Sequence, residues 1–462
     1  MEKKISKDWL SRREFIKKSA VVGVGAMAGS SLLRGTPAFA KDKPEIIRCW
    51  GEPGPYAGVA VDGMNEWASK NISQKFTIEN LGWGDVYIKL MTDISAGQPP
   101  NLISVESPIA FQLMAEGLLE PVDDIVDRIG RDRLAGGAKW EYWGAWKGKQ
   151  YIIPAHHQSH LLIVRMDIIK ELGLSDPNTW DWYDFLNAAK TITEKKKPKM
   201  YGIVLALGRN LCTGYQFASL LHSAGGKMFD SQNKFEVVFN SSATVEALEF
   251  INELYGFMPK GAVGYSFLEC VDSIVMGQSA MTYYWGRVYG RSAKEAPEIF
   301  NNIESFLQPK HPKTGLRLNW NDFQGWAIPK QGNPFIKEAK EALVYYQTKP
   351  EWLVRYCHSL MPNVSPVYKD VIDNPDLYKH PFFETHKKTI MTYYVEALKN
   401  ASNTGNELLE GVNPLAGILH GRLILAQTVQ KVVLNKWSGK KAAEWGQAQL
   451  ESIRKEHFRL VI

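Results

Sequence analysis

Past residue 44 the chain alternates short apolar runs with longer amphipathic stretches. Glu45–Trp50 reads as a strand, Tyr56–Lys70 as a helix and Lys75–Asn80 as a second strand. A strand, helix and strand of these lengths form a βαβ unit, which predicts parallel strands joined by a right-handed crossover. The loop Gly51-Glu52-Pro53-Gly54-Pro55 follows the carboxyl end of the first strand, where open α/β sheets gather ligands. A helix over about Val86–Ala96 leads to a third strand, Asn101–Val105, and then to Glu106, Ser107 and Pro108. Lys139–Gly148 is aromatic-rich and reads as a loop.

The stretch Lys149–Asp167 is organised differently. Two unbroken apolar runs, Tyr151–Ile153 and Leu161–Val164, have the character of buried strands. Between them lie Pro154, His156, His157, Gln158, Ser159 and His160. Proline cannot donate to a central ladder, so the first strand is expected to stop at Pro154. The polar segment needs hydrogen-bond partners, which a ligand in a cleft can supply. The chain is therefore expected to leave one lobe here, line a cleft and enter another.

Further on, Thr179 is placed to cap a helix carrying Phe185, Leu186, Ala189 and Ile192 on one face, and Glu194–Lys199 reads as a solvated loop. Tyr201–Leu205, Ser279–Trp285 and Gly325–Pro329 read as strands, and Ala247–Tyr255 as part of an amphipathic helix. Asn333 and Pro334 open another helix, and helical patterns dominate beyond Glu384.

A chain of 462 residues, 45% hydrophobic and 23% charged, is globular in composition and too long for one core. Its formal charge of +6 would invite a nucleic-acid reading, but residues 1–40 carry eight Lys or Arg against Glu2, Asp8 and Glu14. The remainder is nearly balanced, so nothing argues for a nucleic-acid partner. Residues 1–40 themselves resemble a twin-arginine signal peptide. Ser11-Arg12-Arg13-Glu14-Phe15-Ile16-Lys17 fits the S-R-R-x-F-x-K pattern, followed by the weakly apolar Ala20–Leu33 and an A-x-A cleavage pattern at Ala38-Phe39-Ala40. A periplasmic, soluble mature chain is expected. Cys49, Cys212, Cys270 and Cys357 are widely spaced, with no C-x-x-C, and are expected to be buried thiols.

Five further segments carry a resemblance. They are Ala96-Gly97-Gln98-Pro99-Pro100-Asn101-Leu102-Ile103, Gly148-Lys149-Gln150-Tyr151-Ile152-Ile153-Pro154, Thr179-Trp180-Asp181-Trp182-Tyr183-Asp184-Phe185-Leu186, Gly225–Asp230 and Gly277-Gln278-Ser279-Ala280-Met281. In this order, behind an export signal, they resemble the extracellular solute-binding proteins of ABC importers, specifically the maltose-binding-protein-like carbohydrate group. Asn101 stands where that family has Asp, and Asn363–Tyr393 is an insertion. The resemblance implies an α/β, periplasmic-binding-protein-like fold of two discontinuous lobes joined by several crossings. One lobe would hold 44–155 and 279–323, the other 156–278 and 324–462. It also implies a sugar or oligosaccharide in the cleft, an ABC permease as partner, a monomer, and no cofactor, metal or catalytic residue.

Sugars offer C–H faces to aromatic rings and hydroxyls to carboxylates, amides and guanidinium groups. The candidates at strand ends are Trp50, Glu52, Trp83, Asp85, Tyr87, Glu106, Ser107, His156, His157, Tyr215, Trp285, Arg287, Asn321, Asp322 and Phe323. Trp285 leads the list, because it continues a buried strand face and precedes Gly286. A glycoside hydrolase would need two carboxylates flanking the cleft, and Glu52 with Glu106 is the pair available. A metal site is opposed by strand geometry, which puts His156 and His160 about 13 Å apart. A polyamine or amino-acid derivative is the main rival ligand. The candidate loops are mildly acidic and hold one guanidinium, Arg287, which disfavours phosphate esters.

Overall fold

A computed structural model describes residues 45–51, 54–82 and 86–461. The export motif, Glu52, Trp83 and Asp85 lie outside them. The strands that build the two main sheets are β1 (Ile46–Gly51), β2 (Lys75–Asn80), β3 (Leu102–Glu106), β4 (Ile152–Ser159), β5 (Leu161–Arg165), β6 (Met281–Tyr284), β7 (Ile303–Phe306) and β8 (Asn319–Ala327).

The expected βαβ unit forms. β1 and β2 are parallel, in register from Ile46 opposite Lys75 to Gly51 opposite Asn80. The helix between them, Pro55–Asn71, opens with Pro55, whose missing N–H costs nothing in the first turn. It buries Tyr56, Ala60, Met64 and Ala68, a stripe at helical spacing, against the sheet. The helices Ile336–Gln347 and Pro350–His358 cover its other side. β3 extends the sheet on β1, and β8 runs antiparallel between β3 and β4. The order β2-β1-β3-β8-β4 forms the first lobe's sheet, with the two-residue strand Ala401–Ser402 pairing parallel to the start of β8 as a sixth.

The second sheet is smaller, with β5 between β6 and β7, both antiparallel to it. The helices Leu211–Ser223, Ser242–Tyr255, Ile424–Val433 and Gly439–Glu456 pack together in this lobe. The pairing of Met281 with Val164 and of Ile303 with Arg165 places residues 281–306 here. The expected boundaries put them in the first lobe. Conversely, Gly325–Ala327 and the helices over 336–358 sit in the first lobe, because Trp326 pairs with both Ser104 and Ile153. The insertion at 363–393 packs partly on the second lobe, where His386 meets the rings of Tyr289 and Phe300.

The first of the two strands does not stop at Pro154. β4 runs through Pro154 to Ser159 with every residue buried. The proline is accommodated by a bulge: His156 pairs with Gln324 and Pro154 with Gly325, which skips Ala155. Only His160 separates β4 from β5, so the chain crosses between lobes at that residue, later than the expected boundary between 155 and 156.

Smaller departures have local causes. Lys139–Gly148 is a helix, Trp140–Gly144, followed by a hairpin whose turn residues Lys147 and Gly148 both have positive φ. The helix Trp182–Lys196 is capped by Asp181, in a reciprocal box with Asp184, and not by Thr179. Cys49, Cys212, Cys270 and Cys357 are buried free thiols. No helix among the described residues is long and apolar enough to cross a membrane.

Candidate functional site

Strand ends and helix starts from both lobes converge on a cavity of about 220 Å³. From the first lobe come Glu106, at the end of β3, Gln158, at the end of β4, and Trp320 and Asp322 on β8. From the second come Leu211 and Tyr215 on the helix Leu211–Ser223, and Phe267, Leu268 and Val271 on the helix Phe267–Val275. Tyr284 and Trp285, at the end of β6, and Arg287 and Arg291, on the helix Arg287–Glu295, complete the lining.

The aromatic rings pack on one another. Tyr215 stacks on Trp320 with centroids 3.8 Å apart. Trp285 meets His160 edge-on at 3.9 Å, stacks against Phe267 at 5.5 Å, and stands nearly perpendicular to Trp320. Trp285 is therefore a wedge in this cluster with little of its surface exposed. Gly286 leaves room for the backbone at the start of the 363–393 insertion, since a Cβ there would lie 2.8 Å from the Asn363 nitrogen.

The polar lining is held by neighbours. Tyr215 donates its hydroxyl to Glu106 Oε2 at 3.1 Å. Glu106 Oε1 lies 3.5 Å from Nδ1 of His420, whose other ring nitrogen is 2.9 Å from Thr404 Oγ1. Gln324 donates to Asp322 at 2.5 Å, and Asn363 to Gln158 at 2.7 Å. Arg291 is paired with Asp272 and Glu295. The lining thus carries two acids from the first lobe and two guanidinium groups from the second, of which Arg291 is already paired within its own lobe.

Of the expected residues, Glu106, Tyr215, Trp285, Arg287 and Asp322 are brought together in this lining. Trp50, Ser107, His156, His157, Asn321 and Phe323 lie outside it. Trp50 is buried at the end of β1, with the Lys89 ammonium over its ring, and Ser107 is buried at the start of the helix Ser107–Ala115. His156 is bonded to Tyr356 and Gln158, and His157 lies 3.2 Å from Asn321 Nδ2. Asn321 also donates to Ser159, and Phe323 packs on Trp143. Tyr87 falls in the helix Val86–Ser95. Burial drives the His157 and His160 pKa values down to about 3 and lowers that of His156, so these rings are neutral.

Sequence reasoning missed Trp320, Gln158 and Arg291, and each had a signal. Trp320 is two residues before Asp322 on one strand and so shares its face. Gln158 sits opposite Asp322 in the ladder. Arg291 is one helical turn beyond Arg287. Phe267–Val275 announced itself only as a helix start, through the Ser266–Glu269 capping box. Among the described residues no group of three or more His, Cys, Asp or Glu side chains is placed to hold a metal ion.

The model of the bacterial extracellular solute-binding protein family matches residues 62–351. The chain belongs to that family. Its fold is periplasmic-binding-protein-like, and solved structures share it along most of their length. The maltose-bound MalE3 of T. maritima is 16% identical, with a TM-score of 0.71 over 88% of this chain and 99% of that one. A ribitol complex from Agrobacterium radiobacter K84 gives 19% identity and 0.72, over 89% of this chain and all of the other. A sugar transporter protein from Arthrobacter chlorophenolicus A6 with bound laminaribiose gives 21% and 0.72, over 88% and 99%. The "uncharacterized lipoprotein in oleD 5′ region" of Streptomyces antibioticus is 22% identical over 247 residues, and the chain spans about half the length of that relative.

Proposed function

We propose that this member of the solute-binding family is the substrate-binding component of an ABC importer and closes its lobes on a carbohydrate. The observation that carries the reading is the interlobe cavity itself, where Glu106 and Asp322 meet Arg287 and Gln158 beside Trp320, Trp285 and Tyr215. Carboxylates accept from sugar hydroxyls, guanidinium and amide groups donate to them, and the aromatic wall shields the C–H faces. A lining that mixes hydrogen-bond donors and acceptors with aromatic rings supports a neutral, hydroxylated ligand. The bound sugars of the structural relatives are consistent with this class.

In this reading the chain reaches the periplasm by the twin-arginine route, through Arg12 and Arg13, and works as a monomer that delivers its ligand to a membrane permease. It binds without turnover. A thermal-shift screen of the mature chain over saccharides, polyamines and amino acids tests it, since ligand at 100 times Kd adds about 2.7 kcal/mol of stability. A shift with saccharides alone is expected. A shift with polyamines or amino acids alone would overturn the reading.

A further inference from the structure

The interlobe cavity also has a size and an end. An engineered protein cavity of about 150 Å³ holds one benzene ring. The volume here, about 220 Å³, is half as large again, which is the room of one six-membered ring carrying hydroxyl groups. A second ring would need an adjoining subsite. The neighbouring cavity that shares Leu211 and Tyr215 measures only about 30 Å³, enough for a water or two.

Tyr215 stands between these two spaces and lines both. Its ring is fixed on three sides: stacked on Trp320 at 3.8 Å, tilted against His420 at 5.3 Å and tied by its hydroxyl to Glu106. A side chain held by both lobes in this way is a rigid wall. Leu268, 69% exposed, is the most exposed of the residues that line the cavity.

Resting on the carbohydrate reading above, we infer that the site takes a single neutral sugar ring, or an open-chain polyol of that size, and that Tyr215 is the residue that ends it. A second ring adds no affinity in the native protein. Removing the Tyr215 ring joins the two cavities and gives a second ring somewhere to sit.

Calorimetric titration with hexoses, hexitols, disaccharides and trisaccharides tests this on the wild-type mature chain and on Tyr215→Ala. The wild type is expected to bind at least one hexose or hexitol, with matching disaccharides no tighter. Tyr215→Ala is expected to lose hexose affinity and to shift preference toward the disaccharide at least tenfold. A disaccharide bound ten times more tightly than its monosaccharide by the wild type would overturn the single-ring assignment and leave the carbohydrate reading standing. Failure of every saccharide, hexoses included, would overturn both. If Tyr215→Ala does not fold, the wild-type series alone decides the ring number, and Tyr215→Leu replaces it for the wall.

Discussion

The Tyr215 hydroxyl donates to Glu106 across the cleft, 3.1 Å from one carboxylate oxygen. Tyr215 belongs to a helix of the second lobe, and Glu106 ends a central strand of the first. A bond between the lobes strengthens the closed form selectively, so it favours ligand retention more than folding. Tyr215→Phe keeps the stacking on Trp320 and removes only this bond. A hydrogen bond to a charged acceptor contributes about 1.5–3 kcal/mol, so ligand affinity should fall roughly ten- to a hundredfold. The ligand-free melting temperature should move little. Titration calorimetry beside a thermal melt separates the two, and unchanged affinity would contradict the assignment.

Trp285 should behave differently. Wedged among His160, Phe267 and Tyr284, of the crossing and of its own lobe, it contributes packing whether or not ligand is bound. Trp285→Ala should cost about 3–5 kcal/mol of stability, the usual range for deleting a buried aromatic side chain. Denaturant titration measures it. A loss below about 1 kcal/mol would mean that the ring serves as an open platform for ligand.

Burial of His157 and His160 sets an acid limit. His157 has a folded pKa of about 3 against 6.5 in the unfolded chain, so between these values unfolding takes up a proton. The stability from keeping this ring neutral is fully present above pH 6.5 and is lost as pH falls toward 3. His160 behaves the same way. Each contributes a slope of about 1.4 kcal/mol per pH unit in that window. Unfolding free energies of wild type and His157→Gln, measured from pH 4 to pH 7, should differ by one such slope. Parallel curves would show that His157 is not buried neutral.

Arg12 and Arg13 carry the expectation about export. Replacing both by Lys should leave precursor in the cytoplasm, read by fractionation and blotting. Normal periplasmic yield would rule out the twin-arginine route.

What could be read from the sequence was local. β2 has the bounds its alternation predicts, because Phe76 faces the core while its neighbours are more exposed. Glu106 and Trp285 were legible as strand ends, where α/β folds place ligands. His156 and His157 were not, because the strand passes through Pro154 on a bulge that only the partner strand defines. Asn321 and Phe323 went with Asp322 in the sequence, yet alternation turns them away from the cavity and toward His157 and Trp143. Lobe membership was hidden for a related reason. Met281 finds Val164 across more than a hundred residues, and no local pattern encodes such pairing.

Titration of the mature chain and of Val271→Trp with the saccharide found by screening addresses the cleft itself. Val271 lines the cavity, and an indole there would occupy the space assigned to the sugar. Wild type should bind one equivalent, and Val271→Trp should lose at least a hundredfold in affinity while keeping its ligand-free melting temperature within a few degrees. Equal, tight binding by both proteins would place the ligand elsewhere and contradict the site.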